Sequence, residues 1–382
     1  MRGSGVRTAI KGLLLRPRSL ILQPETLCNL DCGYCYLPFR HERNTMPISV
    51  ARAVADSIRP WVAYGTVDLC WHGGEPLATG RDHLGKLIGE FAGLDVKHGV
   101  QTNATLIDSA WCDFFAERDM YVGVSVDGWS SDNANRVDRA MRPAYDRIMR
   151  GIELLRAHGH DVFAIAVVSN PSPERARRLY SFAVEAGITS LGVNIEEREG
   201  VNASVGAHDR QLVEGFWSEL LRAWKANPVT RVRELDRVLG YVRAVLESDE
   251  EIRRERPFID PLPTVAYDGS VTLISPELAG FSSDEGNFSS GNVLDKTLSE
   301  IIKRSVANTP WISDFSRGVD GCEQACPYFA FCGGGHPANR YFEQGRMSGT
   351  ETDYCRNSKI ALFEGVMHVV QLDPVGAPNP EP

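Results

Sequence analysis

Cys28-Asn29-Leu30-Asp31-Cys32-Gly33-Tyr34-Cys35 places three thiols within eight residues, spaced C-x-x-x-C-x-x-C. Just before it, Ser19 to Leu22 is an apolar run that predicts a buried strand, closed by Pro24. A short loop after such a strand can wrap three thiolates around one inorganic cluster, and thiolates are the ligands that iron–sulfur clusters use. A cubic cluster held by three cysteines keeps one iron open for a substrate. Two other readings fit the spacing. A structural zinc site needs a further ligand, for which His41 is the local candidate; the thiols could also be buried without metal.

The rest of the composition narrows the class. The chain has 382 residues, 43% apolar and 24% charged, which predicts a soluble globular protein of two domains. The net charge is −9 and no block of lysine or arginine stands out, which argues against a nucleic-acid surface. The mildly basic start is broken by Arg16 and Arg18, too early for a signal peptide's apolar core. No stretch approaches a membrane span, so a cytoplasmic protein is expected. Of the nine cysteines, three lie at 28–35 and four at 322, 326, 332 and 355. In a reducing compartment such clustering points to metal rather than disulfides. Cys70 and Cys112 stand alone and are expected to be core thiols.

Residues 18–200 alternate apolar runs with amphipathic segments. The runs are 20–23, 67–71, 96–101, 121–126, 162–168 and 191–195; the helical segments are near 48–60, 81–92, 108–118, 144–158 and 173–186. Asp108 and Ser172 are expected N-caps, and Gly159 and Gly187 expected stops. The alternation predicts an α/β fold with a parallel sheet: six units of a partial TIM-type barrel, with its site at the C-terminal strand ends. Residues 1–17 are expected to be an arm, 201–256 a helical bridge, 257–372 a C-terminal cluster domain and 373–382 a flexible tail. The run Ser248–Arg256 fits a solvated helix end. The acidic run after the sixth strand, with Asn194 and Glu196, either faces solvent or overhangs the barrel mouth.

Motifs fall at the predicted strand ends. Trp71-His72-Gly73-Gly74-Glu75-Pro76 follows the second run, and its glycines let backbone approach a ligand. Asn103 follows the third run, and Ser125 and Asp127 close the fourth. Further on, Val265 to Leu273 around Asp268-Gly269 predicts a hairpin. Cys322, Cys326 and Cys332 follow, then Gly333-Gly334-Gly335-His336, then Cys355. Four thiolates fill a cluster's coordination and suit electron transfer or structure; tetrahedral zinc is the alternative.

The cysteine loop, with an aromatic residue before its last cysteine, resembles the signature of the radical S-adenosylmethionine (radical SAM) enzymes. That resemblance implies a SAM-binding [4Fe–4S] cluster on Cys28, Cys32 and Cys35. It places Tyr34 near adenine and gives the methionine amino group to Gly73, Gly74, Glu75 and Pro76. It counts Asn103, Ser125, Arg136 and Leu191 among the SAM contacts. Relatives often carry His-Asp just before the arginine, where this chain has Asp132-Asn133-Ala134-Asn135-Arg136. The C-terminal part resembles the SPASM extension of radical SAM peptide maturases. Only one auxiliary set is matched, Cys322, Cys326, Cys332 and Cys355, so one auxiliary [4Fe–4S] cluster is implied. Ser275 and His336 stand near positions of the missing set, and His336 is a minor candidate ligand.

The nearest resemblance is to maturases that form cyclophanes in ribosomally made peptides. It is carried by Leu22 to Thr26, Tyr36-Leu37-Pro38, Trp71 to Leu77, Ser275 to Leu278 and Cys326 to Gly335. The runs Tyr341 to Glu343 and Thr350 to Arg356 complete it. It implies a carbon–carbon crosslink from an aromatic ring to an unactivated β-carbon, with a precursor peptide as substrate and a flavodoxin or ferredoxin as electron donor. Rearomatisation needs a base, for which Glu277 is first candidate and Asp127 second. Rival outcomes are thioether formation, serine or cysteine oxidation as in sulfatase maturation, and epimerisation. A non-catalytic electron carrier or peptide-binding module is the rival of another class.

Overall fold

The computed structural model describes residues 9–10, 13–203, 206–247, 259–284 and 286–372. The expected solvated run at 248–256 and the tail at 373–382 lie outside them. A short antiparallel pair, β1 (Ala9–Ile10) and β2 (Leu13–Leu14), comes first. The arm is anchored here: Leu13 is buried, and the Leu14 amide donates to the Ile259 carbonyl at 3.2 Å.

The six apolar runs form the parallel strands expected of them. They are β3 (Ser19–Leu22), β4 (Val67–Trp71), β5 (Val96–Thr102), β6 (Tyr121–Ser125), β7 (Val162–Val168) and β8 (Ser190–Ile195). Helices α1 (Ile48–Ile58), α2 (Arg81–Gly89), α3 (Ser109–Glu117), α4 (Tyr145–Ala157) and α5 (Pro173–Glu185) supply the crossovers. The Asp108 and Ser172 side chains cap α3 and α5 by accepting from the Trp111 and Arg175 amides. Gly159 and Gly187 follow their helices at φ of 80° and 64°, a region that costs other residues strain.

Strand register divides the sheet into two faces. Leu22, Trp71, Val100, Val122 and Val162 form one cross-strand row, and Thr102, Val124, Ala164 and Leu191 the next. All are buried, on the face that packs into the helical layer. The opposite, more open face carries Ile21, Cys70, Gly99 and Tyr121 in one row, and Ser125, Ile165 and Gly192 in another. Here side chains lie over glycines. A Cβ on Gly99 would meet the Tyr121 ring at 1.9 Å, and one on Gly123 the Gln101 Oε1 at 2.1 Å. Cys70 therefore belongs to the open face, beside Tyr121, while Cys112 is a core thiol as expected.

The bridge comprises α6 (Arg210–Ala226), a short edge strand β9 (Arg231–Val232) parallel to β8, and α7 (Arg233–Leu246). The hairpin then forms as expected, with β10 (Thr264–Val265) and β11 (Ser270–Thr272) antiparallel around Gly269 at φ 86°. It does not found a separate sheet. β10 lies parallel to β3, and β14 (Gly291–Asn292) extends β11 beyond a small β12 (Ser282–Ser283) and β13 (Gly286–Asn287) pair. The sheet thus runs β14-β11-β10-β3-β4-β5-β6-β7-β8-β9, and the boundary expected at 257 falls inside one sheet.

The remaining helices are α8 (Leu298–Asn308), α9 (Pro310–Ala325), α10 (Pro337–Gln344) and α11 (Ala361–Leu372). They close back onto the first half. Trp61 Nε1 donates to Ser299 Oγ at 2.9 Å, and the Leu298 amide to Ser57 Oγ at 3.2 Å. Against α6, Trp217 Nε1 donates to the Asn357 carbonyl and Ser218 Oγ to the Gly365 carbonyl, both at 2.9 Å. A Cβ on Gly365 would stand 2.6 Å from the Glu214 carbonyl, so the two backbones touch there. Among the described residues no helix is long and apolar enough to cross a membrane.

Candidate active site

The three-thiol loop leaves β3 and is pinned on both sides. The Asp31 and Gly33 amides donate to the Val137 and Asn135 carbonyls at 2.8 and 3.0 Å, and Leu30 is buried beneath. Asn29 Nδ2 donates to Thr105 Oγ1 at 2.8 Å, which fastens the loop to the end of β5. The thiols share one patch. Burial raises Cys28, with the Glu75, Cys32 and Cys35 charges adding to it, and raises Cys32 to about 11. The Leu30 amide (3.4 Å) and Asn103 Nδ2 (3.7 Å) both donate to Cys28 Sγ, contacts that favour a thiolate. His41 stands aside at 3.6 Å from Asp31, half exposed.

The glycine turn after β4 presses on the entry to this loop. Gly73 and Gly74 have φ of 97° and 61°, and a Cβ on Gly74 would lie 2.5 Å from the Glu25 carbonyl. The Glu75 carboxylate is buried and accepts from the Leu77 amide (3.0 Å), Thr102 Oγ1 (2.6 Å) and the Asn103 amide (2.8 Å). It ties the turn to the end of β5. Burial raises it, against the lowering effect of these donors. Pro76, also buried, opens the following 3-10 turn. Ser125 lies at the end of β6 on the open face, accepting from Gln101 Nε2 at 3.0 Å.

Asp127 and Arg136 correct an expectation. They form a buried bidentate pair, with Nη2–Oδ1 at 2.8 Å and Nε–Oδ2 at 3.0 Å. Asp127 also accepts from the Tyr34 hydroxyl at 2.5 Å and the Val167 amide at 2.9 Å. Every oxygen of this carboxylate has two donors, so it has no free lone pair for a catalytic base. The pair instead links the cysteine loop, through Tyr34, to β7. Arg136 lies over the Tyr34 ring, 5.3 Å from its centroid. Leu191 is the second correction. It lies in the buried row with Ala164, so its side chain faces away from the open face.

The second thiol set lies where α9 ends. Cys322 is in its last turns, Cys326 follows, Cys332 ends a single turn (Phe329–Cys332), and Cys355 ends another (Asp353–Cys355). Burial raises Cys355 to about 12, and the charges of Cys332, Cys326 and Cys322 all act on it, so the four sulfurs are neighbours. No disulfide joins any of the cysteines. Among the described residues no group of three His, Cys, Asp or Glu converges as on a single ion. A cubic cluster takes one thiolate at each iron and asks for sulfurs set apart at its corners. Soft, closely grouped thiols, with Cys322 buried and the other three partly so, are the donor set such a cluster needs.

Polar side chains gather near both sets: Tyr36 feels the charge of Cys35, and Tyr354 those of Cys332, Glu197 and Glu199. Tyr36, one residue past Cys35, has its hydroxyl 3.2 Å from His72 Nε2. His336 packs edge-on against Tyr354, the neighbour of Cys355, at 5.7 Å between ring centroids. Burial holds both histidines below their usual range, hence neutral. Glu277, held by Ser275 Oγ at 2.6 Å, acts electrostatically on Tyr36, His72, Glu197, Glu199 and His336. Asn339 Nδ2 bridges Glu197 Oε2 (2.7 Å) and Glu199 Oε1 (2.8 Å). Burial raises Glu197 to about 8 and raises Glu199 as well, with Glu197's charge adding to it, so the pair holds a proton at neutral pH. The acidic run thus turns inward at 197 and 199, while Asn194 stays exposed and accepts from Arg233. Sequence reasoning missed His72, Tyr36, Glu197 and Glu199. Their adjacency to the thiol loop and the glycine turn was a usable signal for the first two.

Residues 24–183 match the model of the radical SAM superfamily. An uncharacterised protein of Synechocystis sp. is 31% identical over 354 residues, 88% of each chain. The cysteine-type anaerobic sulfatase-maturating enzyme of Clostridium perfringens is 24% identical, over 91% of this chain and 96% of its own. Among solved structures, anSMEcpe with bound AdoMet and the Cp18Cys peptide superposes with a TM-score of 0.72 at 22% identity, covering 93% of this chain and 99% of that one. Streptococcus suis SuiB bound to precursor peptide SuiA gives 0.63 at 18%, covering 90% and 77%. The chain belongs to the radical SAM superfamily and has the fold of these peptide-bound enzymes.

Proposed function

We propose that this chain is a radical SAM maturase that installs a cyclophane crosslink in a ribosomally made precursor peptide. The observation that carries the radical reading is the pinned three-thiol patch on the loop after β3, beside the glycine turn of β4 and the ends of β5 and β6. Cys28, Cys32 and Cys35 would hold a [4Fe–4S] cluster, with SAM against Gly73 to Pro76, Asn103 and Ser125. When bound, that pair supplies an organic radical able to take hydrogen from an unactivated carbon, chemistry beyond acid–base side chains. Cys322, Cys326, Cys332 and Cys355 would hold an auxiliary cluster, an exit for the electron released on rearomatisation.

The polar cluster near both sets is the proposed place for the reacting peptide residues. Glu277 acts electrostatically on His72 and His336, both neutral, and it is the proposed base for the ring proton. Tyr34 and Asp127 position Arg136 rather than react. The cyclophane outcome rests on the sequence resemblance. Sulfatase-type oxidation of serine or cysteine is the second reading, favoured by similarity to the sulfatase-maturating enzyme over 91% of the chain.

Anaerobic incubation with SAM, reductant and candidate peptides tests both. A crosslink removes two hydrogens and blocks fragmentation across the bridged residues. Oxidation of serine to an aldehyde removes the same mass but leaves fragmentation complete, oxidation of cysteine to that aldehyde also exchanges sulfur for oxygen, and epimerisation leaves the mass unchanged. Absence of 5′-deoxyadenosine with every peptide rejects the radical reading.

A further inference from the structure

Arg340, on α10, is among the largest fully buried side chains of the molecule, at 1% exposure. Its hydrogen bonds run to three carbonyl oxygens and one sulfur. Nη1 donates to Phe315 O (3.3 Å) and Met347 O (3.1 Å), and Nη2 to Gly334 O (2.5 Å) and Cys322 Sγ (3.3 Å). The guanidinium also stands 4.9 Å from the Phe315 ring centroid. None of these partners is a carboxylate, and the charges that act favourably on it are those of Cys322, Cys332 and Cys355. Arginine does not lose its proton in proteins, so this is a permanent buried charge.

The slot for it is built by a second, independent feature. Gly318 lies inside helix α9, where nothing in its backbone asks for glycine. A Cβ there would stand 2.1 Å from Arg340 Nη1, 2.7 Å from Met347 O and 2.9 Å from Gly349 O. The missing side chain makes room for the guanidinium. A buried cation without a counter-charge is costly. Neutral thiols supply none, whereas sulfurs bound to a metal are thiolates.

We propose that Arg340 is the resident counter-cation of the four-cysteine centre, fixed in the space left by Gly318 and donating to the Cys322 sulfur to offset the charge of the metal-bound thiolates. This rests on the reading that these cysteines hold a metal centre. Arg340 is a positioning residue: it sets how firmly the centre is held and, through charge and hydrogen bonding to a ligand sulfur, its potential.

The test uses the full chain with Cys28, Cys32 and Cys35 changed to alanine, so that only the second site binds metal. In this parent, Arg340→Met should weaken metal retention against a chelator by about 10- to 100-fold, the usual effect of losing a partner outside the ligand set. Any cluster it keeps should titrate at a more negative potential by electron paramagnetic resonance. Arg340→Lys, which keeps the charge, should fall between. Unchanged retention and potential in Arg340→Met overturns the proposal. If that variant lacks the parent's near-ultraviolet circular dichroism, Gly318→Ala decides: it displaces the guanidinium without removing it, and parental values again overturn the proposal. A parent that takes up zinc and no iron overturns the iron–sulfur reading, and zinc retention in Arg340→Met then decides the counter-cation. A parent that binds no metal overturns both.

Discussion

Asp127 shows how a residue's partners decide its role. Its carboxylate holds Arg136 by two bonds and takes the Tyr34 hydroxyl and the Val167 amide as well. Replacing it with asparagine leaves a buried guanidinium without its counter-charge. Breaking a buried pair from one side costs about 3–5 kcal/mol, far more than the pair's own net worth. Asp127→Asn should therefore lose about that much stability in denaturant titration of the metal-free chain; a loss under 1 kcal/mol would show the pair to be dispensable. Glu277 is the opposite case, with the Ser275 hydroxyl on one oxygen and Tyr36, His72 and His336 among its electrostatic neighbours. Glu277→Gln should slow peptide crosslinking by about 100-fold or more while peptide binding holds. Crosslinking at the wild-type rate across the pH range would remove Glu277 as the base. Neither fate was legible in the sequence, where both are acids near a turn. The difference lies in partners such as Arg136 and Val167, which only the folded sheet brings to Asp127.

At the scale of elements, the loop after β8 meets the start of α10 through Glu197, Glu199 and Asn339. Because burial raises Glu197 to about 8, the folded chain keeps a proton there that the unfolded chain releases near the ordinary value of 4.5. The native state then binds more protons, and stability falls as pH rises from about 4.5 to about 8, levelling on either side. Glu197→Gln keeps the proton-like donor at all pH values and should flatten that slope in urea midpoints taken from pH 5 to 9. Midpoints with the same slope in both chains would place the proton elsewhere.

The strands themselves were legible. Six runs such as Val67–Trp71 and Val162–Val168 are apolar because one face is buried throughout, and caps such as Asp108 and Ser172 mark where helices begin. Leu191 was misplaced because a single-residue change of parity moves a side chain to the other face. Ser190, Gly192 and Asn194 are the members of β8 on the open face. Glu197 and Arg340 gave no sign of burial, since a charged side chain is ordinarily solvated and their partners lie far along the chain or in backbone carbonyls.

For the whole molecule, the hairpin of the last third sits beside the strand that carries the first cysteines. Ile21 and Gln23 donate to the Pro263 and Val265 carbonyls, both at 2.9 Å. A chain ending at 256 would leave that edge of β3 unpaired, and exposed strand edges invite association. Truncation there should give aggregated protein that retains little iron at the first thiol set, read by gel filtration and iron analysis. A monomeric fragment with full iron would show the parallel strands to be self-sufficient.

The same pairing sets a timetable on the ribosome. About 240 residues separate β3 from β10. At about 5–20 residues per second, the edge beside the cysteine loop waits roughly 10 to 50 seconds for its neighbour. Throughout that interval the nascent chain presents three thiols on an unfinished wall. Metal delivered then would meet a loop free to chelate in the wrong arrangement. Metallation of the finished chain follows as the productive order, so cluster supply should limit the yield of holoprotein after translation has ended.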